Sequence, residues 1–387
     1  MRAEVSLRPH FIGLGKRGER LDHTNSYKPI RVLGEPTPAL WPREDRLKAE
    51  LRTFGVPPLG GPAAEPRDPI ADVVLGIDAR EDASAINVPP GKVLVQSVDF
   101  FRAFLDDPFL FGRVTANHCL NDIYAKGAEP HSALATLTIP FGPAEKVEEE
   151  LAQVLSGAVA ELRRHNAVLI GGHSAEGAEL GLGLTVNAFA DPKQLLRKDG
   201  LQPGQALILT KALGTGCLFA ADMRRQAKGQ WIEEAIESML LSGREAMSCL
   251  RRNGAMACTD VTGFGLLGHL LEMLNASRVS AEISTLPVLN GATESIRVGI
   301  VSSLHPENLR LRHGILNLEE ASALPAYAIL FDPQTAGGLL AGVPEANAAA
   351  CVAELHRLGF RSASLIGKVV AAQGDRGVTV TSLPIPV

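Results

Sequence analysis

Four aspartates of this chain stand where a hydrophobic run gives way to a turn or a helix, and that recurrence constrains the fold more than any other feature. They lie in Glu81-Asp82-Ala83-Ser84, Ser97-Val98-Asp99-Phe100-Phe101, Asn117-His118-Cys119-Leu120-Asn121-Asp122 and Thr259-Asp260-Val261-Thr262-Gly263-Phe264-Gly265. If they act together, the fold must bring the ends of several strands and helices to one place. Asp at a strand end or a helix start is also a good cap, and each acid taken singly is explained by that role.

Taken as a set, the acids point to magnesium bound to a polyphosphate. Mg²⁺ requires six oxygens, gives up its water reluctantly, and takes one or two carboxylates with the rest from water and substrate phosphates. Asp82, Asp99, Asp122 and Asp260 are the predicted metal ligands.

The organisation around them is uneven. Residues 1–70 hold 10 of the 25 prolines and no sustained apolar period, which predicts linker-like chain with at most a short helix over 44–54. A first domain is expected over 71–190. Residues 93–98 alternate as a strand that delivers Asp99 at its end, and 108–124 read as a helix that Gly127 terminates. His118 and Asp122, four apart, share a face of it. Strand 133–139 leads to an amphipathic helix carrying Val147, Leu151, Val154, Leu155, Val159 and Leu162. A short buried strand at 168–170 runs into a glycine turn, and 180–189 returns.

A second, α+β domain is expected over 191–387. Its predicted strands are 206–210, 255–259, 281–283, 327–331, 338–343 and 364–369, with helices over 232–252, 266–275 and 346–358. The fold class is therefore α/β (α+β) in two domains, the first a split α/β sandwich with one sheet face left to bury.

Two glycine motifs follow strands. Gly171-Gly172-His173-Ser174 is expected to turn backbone N–H groups toward one point, as an anion-binding nest does, and Lys211-Ala212-Leu213-Gly214-Thr215-Gly216 to do the same beside a cation. Tight turns use glycine pairs everywhere, so each motif also fits an ordinary turn. His173 fits a general base or a hydrogen-bonded structural histidine. Glu176 and Glu179 follow it in a loop. His269 reads as helix packing or a cap contact, and Asn308 and Asp332 serve structure as readily as substrate.

Composition narrows the class. The chain has 387 residues, 45% hydrophobic and 21% charged, with net charge −5, ordinary for a two-domain globular protein. There is no basic block for nucleic acid or an anionic membrane, no apolar run of roughly 18 to 20 residues for a membrane span, and no signal-peptide layout. A cytoplasmic protein is expected. Cys119, Cys217, Cys249, Cys258 and Cys351 form no Cys-x-x-Cys pair, which argues against a disulfide framework or a zinc site and for small buried thiols.

Beyond these physical readings, long ordered strings resemble a known family. They are Ser97 to Phe101, Asp106-Asp107-Pro108-Phe109-Leu110-Phe111-Gly112-Arg113, Asn117 to Asp122 with Ala125-Lys126-Gly127-Ala128-Glu129-Pro130, Gly171 to Ser174, Lys211 to Gly216, Thr259 to His269, and Phe331-Asp332-Pro333-Gln334-Thr335-Ala336-Gly337-Gly338. Spread over residues 72–370, they resemble the selenophosphate synthetases (selenide, water dikinases) of the aminoimidazole ribonucleotide synthetase-like superfamily.

The resemblance implies a homodimer joined through the first-domain sheets, ATP and selenide as substrates, and Mg²⁺ on the four aspartates. It implies a nucleotide site lined by Asp99, Asn117, Gly171, Gly172, His173 and Ser174. It is nearest to forms fused behind a dehydrogenase-like module, so such a module, fused or separate, is an implied partner.

One part of the family pattern departs here. The resemblance implies a glycine-rich segment ahead of Asp82 bearing a cysteine or selenocysteine and then a lysine. No cysteine precedes Cys119, and the nearest echo is Gly13-Leu14-Gly15-Lys16-Arg17-Gly18, with leucine in the thiol's place. Lys16 fits a phosphate-reaching lysine or a plain basic linker residue. Leucine cannot deliver selenide as a thiolate does, so Mg-ATP binding with slow or no selenophosphate formation is the expectation. Two rivals stand beside selenide phosphorylation: an ATP-dependent enzyme with another acceptor, and a nucleotide-binding protein that serves as a scaffold.

Overall fold

The computed structural model describes residues 69–77, 82–372 and 374–383. Lys16 and the expectations for 1–68 lie outside the described residues.

The first sheet is built from long strands. After a short antiparallel pair, β1 (Val73–Leu75) and β2 (Ala85–Ile86), come β3 (Val93–Arg102), helix α1 (Pro108–Ala125), β4 (Glu129–Pro140), helix α2 (Ala144–Arg164), β5 (Val168–Gly177) and β6 (Gly181–Ala190). The spatial order is β3-β6-β4-β5, antiparallel except for the parallel β4–β5 pair. Strand β3 runs three residues past Asp99, so that acid stands inside the strand and not at its end. The period-2 pleat puts Ser97, Asp99 and Phe101 on the more buried side, while Leu94, Val98 and Phe100 face outward, Val98 being 67% exposed.

Helix α1 starts because Asp107 accepts from Leu110 N at 2.9 Å with Pro108 following it, and it ends before Gly127. It is buried nearly all round, as a helix between a sheet and a second domain must be. It meets α2 at very short range: a Cβ on Gly112 would strike the Val154 carbonyl, and one on Gly157 the Phe109 carbonyl.

The second sheet has the order β12-β9-β11-β7-β10-β8. Its main elements in chain order, short helices between β9 and β10 left aside, are β7 (Gln205–Leu209), α3 (Thr215–Met223), α4 (Gly229–Leu240), α5 (Gly243–Arg252), β8 (Ala257–Asp260), α6 (Gly265–Ser277), β9 (Ser280–Ile283), β10 (Leu339–Pro344), α7 (Glu345–Arg357), β11 (Ser364–Val370) and β12 (Val378–Val380). One hydrophobic cluster runs from α1 and the first sheet into β7, α5 and β10, through residues such as Leu120, Tyr124, Ile208, Leu250 and Leu339. The α+β order expected from the sequence is present.

Three local expectations change. The strand predicted at 327–331 is the 3₁₀ turn Tyr327–Phe331, which buries Ile329, Leu330 and Phe331 together; a short apolar run without alternation does not distinguish the two. The long helix predicted over 232–252 breaks at Leu241, because the Ser242 hydroxyl accepts from Arg244 N at 3.1 Å and starts α5 anew. The glycine turn after Ile170 does not form. Strand β5 continues through it to Gly177 beside β4, with one register shift between Ala133 and Leu134.

Candidate functional site

The second sheet brings one acid to the two of the first domain. Asp260 is the last residue of β8, beside α1, which carries His118 and Asp122 on one face, and Asp99 looks toward that face from β3. Ser97, two residues before Asp99, donates its hydroxyl to Asp122 Oδ2. Burial, then the charge of Asp122, pushes the Asp99 carboxyl up to about 6. The same causes in the same order, with Asp99 adding to them, push Asp260 up to about 8. Three carboxylates thus repel one another in a low-dielectric setting.

Two basic groups face them without cancelling the charge. Burial holds the Lys211 amine down to about 7, against the pull of Asp260, and its Nζ donates to the Ala336 carbonyl at 2.8 Å. His118 is held down to about 4, mainly by burial, so near neutral pH it carries no charge. Its Nδ1 accepts from Ala336 N at 2.8 Å, which leaves the ring proton on Nε2, 3.8 Å from Asp99 Oδ2.

The chemistry of this donor set fits a hard divalent cation. It offers carboxylate oxygens, on two acids that burial first and then the charge of Asp122 raise. Among the described residues no group of three or more His, Cys, Asp or Glu side chains is placed to hold a metal by itself. Mg²⁺ takes few protein ligands and completes its shell with water and phosphate oxygens.

The remaining predicted residues fall in different places. Asp82 is exposed, and among the described residues no hydrogen bond or ion pair joins it to the other three acids. Its neighbour Ser84 donates to Ile170 O at 2.9 Å, so the segment sits next to Gly171 and Gly172. Gly171, Gly172, His173 and Ser174 are not a nest: they lie within β5, His173 and Ser174 exposed and in register with Thr136 and Leu137. Gly172 is needed there because a Cβ would strike the Ala135 carbonyl.

The second glycine motif is not an open nest either. Gly214 N and Thr215 N donate to Gln334 Oε1 at 2.9 and 3.2 Å, and Gly216 N to Asp332 Oδ2 at 3.1 Å. These amides are engaged by the chain's own side chains. Asp332, fully buried, is pushed up to about 7 by that burial. Asn117 is also fully buried, its amide donating to Met239 O at 2.6 Å and Leu241 O at 3.2 Å, so it fastens α1 to the end of α4. His269, buried on its helix, accepts at Nε2 from Thr262 N at 3.1 Å, two residues ahead of the helix N-cap. Asn308 donates to Gly263 O and Phe331 O.

All five cysteines are free and buried. Burial pushes the thiols of Cys119 and Cys258 up, the latter to about 12, so neither is a nucleophile at neutral pH. Sequence reasoning passed over Ser97, Asn121 and Ala336. The spacing of Ser97 from Asp99 on a strand, and of Asn121 from His118 on a helix, was the available signal; nothing local marks Ala336.

Comparison with known proteins identifies the family. The family model for the N-terminal domain of AIR synthase related protein matches residues 80–190, and that for its C-terminal domain matches 202–380. The chain is similar to a selenide, water dikinase of Nitratidesulfovibrio vulgaris (strain DP4), 38% identical over 319 residues, covering 78% of this chain and 88% of the relative. It is also similar to one from Clostridioides difficile (strain 630), 33% identical, covering 81% and 89%. In structure it resembles the thiamine-monophosphate kinase of Stenotrophomonas maltophilia K279a, with TM-score 0.60 and 21% identity over 88% of this chain and 95% of that one. It likewise resembles the hydrogenase maturation protein HypE solved in complex with ATP, with TM-score 0.61 and 17% identity over 79% and 86%. From these matches and the order of its domains, the chain belongs to the AIR synthase related family and, within it, to the selenide, water dikinases.

Proposed function

We propose that this chain transfers the γ-phosphoryl of ATP to selenide and hydrolyses the remaining diphosphate, giving selenophosphate, AMP and phosphate. The observation that carries the reading is the joining of Asp99, Asp122 and Asp260 across two domains, with the carboxyls of Asp99 and Asp260 raised by burial and then by the charge of Asp122. Phosphoryl transfer is catalysed by positioning and charge neutralisation more than by any one acid or base.

In this reading Asp99, Asp122 and Asp260, with Asp82 on its own segment, hold Mg²⁺, which when bound neutralises the phosphate oxygens. Ser97 orients Asp122. The exposed His173 and Ser174 border the nucleotide from β5, the strand that Gly172 lets pack closely against β4. Asn117 keeps α1 against the second domain. The outward apolar face of β3, with Val98 and Phe100, supports pairing of two copies through their first sheets. No helix of the described residues is long and apolar enough to cross a membrane, in keeping with a protein acting in the cytosol.

A second reading, nucleotide binding without selenophosphate release, draws on Leu14 standing where the family carries a thiol. Anaerobic ATP consumption with and without selenide separates the two. Selenide-dependent AMP release supports the first reading; ATP binding without turnover supports the second.

A further inference from the structure

The peptide of Ala336 is gripped at both ends by side chains from different domains. Its N–H donates to His118 Nδ1 on α1, and its carbonyl accepts from Lys211 Nζ just after β7, both at 2.8 Å. Next along the chain, the Gly337 carbonyl accepts from Asn121 Nδ2 at 3.1 Å, again from α1. One residue further, the Gly338 carbonyl accepts from Val261 N at 2.9 Å, and Leu339 then pairs in register with Asp260. Four consecutive residues therefore connect the helix that carries Asp122 to the strand that carries Asp260.

The backbone of this crossbar is not relaxed. Ala336 has φ 47°, in the left-handed region that a residue with a Cβ adopts only when its surroundings hold it there. It is almost fully buried. His118, Asn121 and Lys211 hold it, together with Thr210 Oγ1, which accepts from Leu339 N at 2.8 Å. Hydrogen bonds to a buried peptide in a dry site are costly to lose, because the orphaned group has no water to turn to. The His118 ring is itself fixed by Phe101, edge-on at 4.4 Å between centroids, and Phe101 shares the inner face of β3 with Asp99.

We infer that the Ala336 peptide is a crossbar between the domains, and that His118 and Lys211 are positioning residues which, by holding it, set the separation of the Asp99 and Asp122 pair from Asp260. The inference rests on the reading of those acids as the cation-binding set. His118 acts through its Nδ1 acceptor and Lys211 through its donor; neither touches the reacting atoms.

The distinction between the two ring nitrogens supplies the test. His118→Asn keeps an acceptor near the depth of Nδ1. His118→Gln places its polar end near the depth of Nε2, beyond Ala336 N. Mn²⁺ binding in the presence of a non-hydrolysable ATP analogue, followed by electron paramagnetic resonance, reads the cation site without turnover, and melting temperatures check the fold. The crossbar predicts at least about tenfold weaker Mn²⁺ binding in the Gln variant, the scale seen when groups behind metal ligands are lost, with most of that loss restored in the Asn variant. Lys211→Met weakens binding in the same sense.

Gln at wild-type affinity, or Gln better than Asn, overturns the crossbar and assigns the histidine to Asp99 through Nε2. Should the Gln variant not fold, the Asn variant decides alone: a folded Asn protein with about tenfold or greater loss of affinity contradicts the inference. Absence of Mn²⁺ binding in the wild-type protein would overturn the cation-site reading itself, and the crossbar's role with it.

Discussion

The Ser97 hydroxyl donates to Asp122 Oδ2, joining β3 to α1 at the point where each presents a carboxylate. Ser97→Ala removes this part-buried hydrogen bond, at a stability cost of about 1 kcal/mol, and frees Asp122 to rotate. The expected outcome is a small fall in melting temperature with a several-fold weaker affinity for Mg²⁺ and an ATP analogue by calorimetry. Unchanged affinity would reduce the contact to a strand–helix fastener.

Replacing Asp99, Asp122 or Asp260 by Asn removes one charge from a set that repels itself. Each variant should fold as well as the parent or better, while Mg²⁺-dependent nucleotide binding falls about tenfold or more. Calorimetric titration of the three variants checks this, and wild-type affinity in all of them would exclude the set as cation ligands.

The raised carboxyl of Asp260 gives a pH dependence of known sign. Its folded value of about 8 lies above the ordinary 3.8, so the folded state holds the proton more tightly than the unfolded chain. The contribution to stability is full below the ordinary value and is lost as pH rises through about 8. Lys211, held down to about 7, works in the opposite sense at higher pH, so the comparison must isolate Asp260. Without divalent cation, the melting temperature of wild type minus that of Asp260→Asn should fall between about pH 5 and about pH 9. A difference that stays level or grows contradicts the assignment.

Gly172 faces the Ala135 carbonyl inside a parallel strand pair, so Gly172→Val should disturb the β4–β5 pairing before it disturbs any ligand. A clear loss of thermal stability is expected, together with loss of nucleotide binding. Lost binding at parental stability would restore the phosphate-approach role that the sequence suggests.

What was legible in the sequence followed from period and capping. The alternation of β3, the Asp107-Pro108 start of α1 and the spacing of His118 from Asp122 were enough to place two acids on facing elements. The approach of Asp260 was readable only through resemblance, since no local pattern tells which helix a distant strand will meet. The glycine motifs misled for one physical reason: glycine serves close backbone contact as well as turning. At Gly172 the neighbour is the Ala135 carbonyl, and at Gly214 to Gly216 the amides are met by Gln334 and Asp332 from more than a hundred residues away. The 327–331 segment failed because a buried apolar run carries no alternation from which to tell a strand from a 3₁₀ turn.

Phosphorus NMR of an anaerobic reaction with ATP and selenide tests the proposed activity most directly, because selenophosphate shows a phosphorus–selenium coupling that no other product has. Against the slow or absent product formation expected from Leu14, the account predicts that signal, growing together with AMP and phosphate and absent in Asp122→Asn. ATP left intact, or consumed equally without selenide and with no coupled resonance, would contradict it.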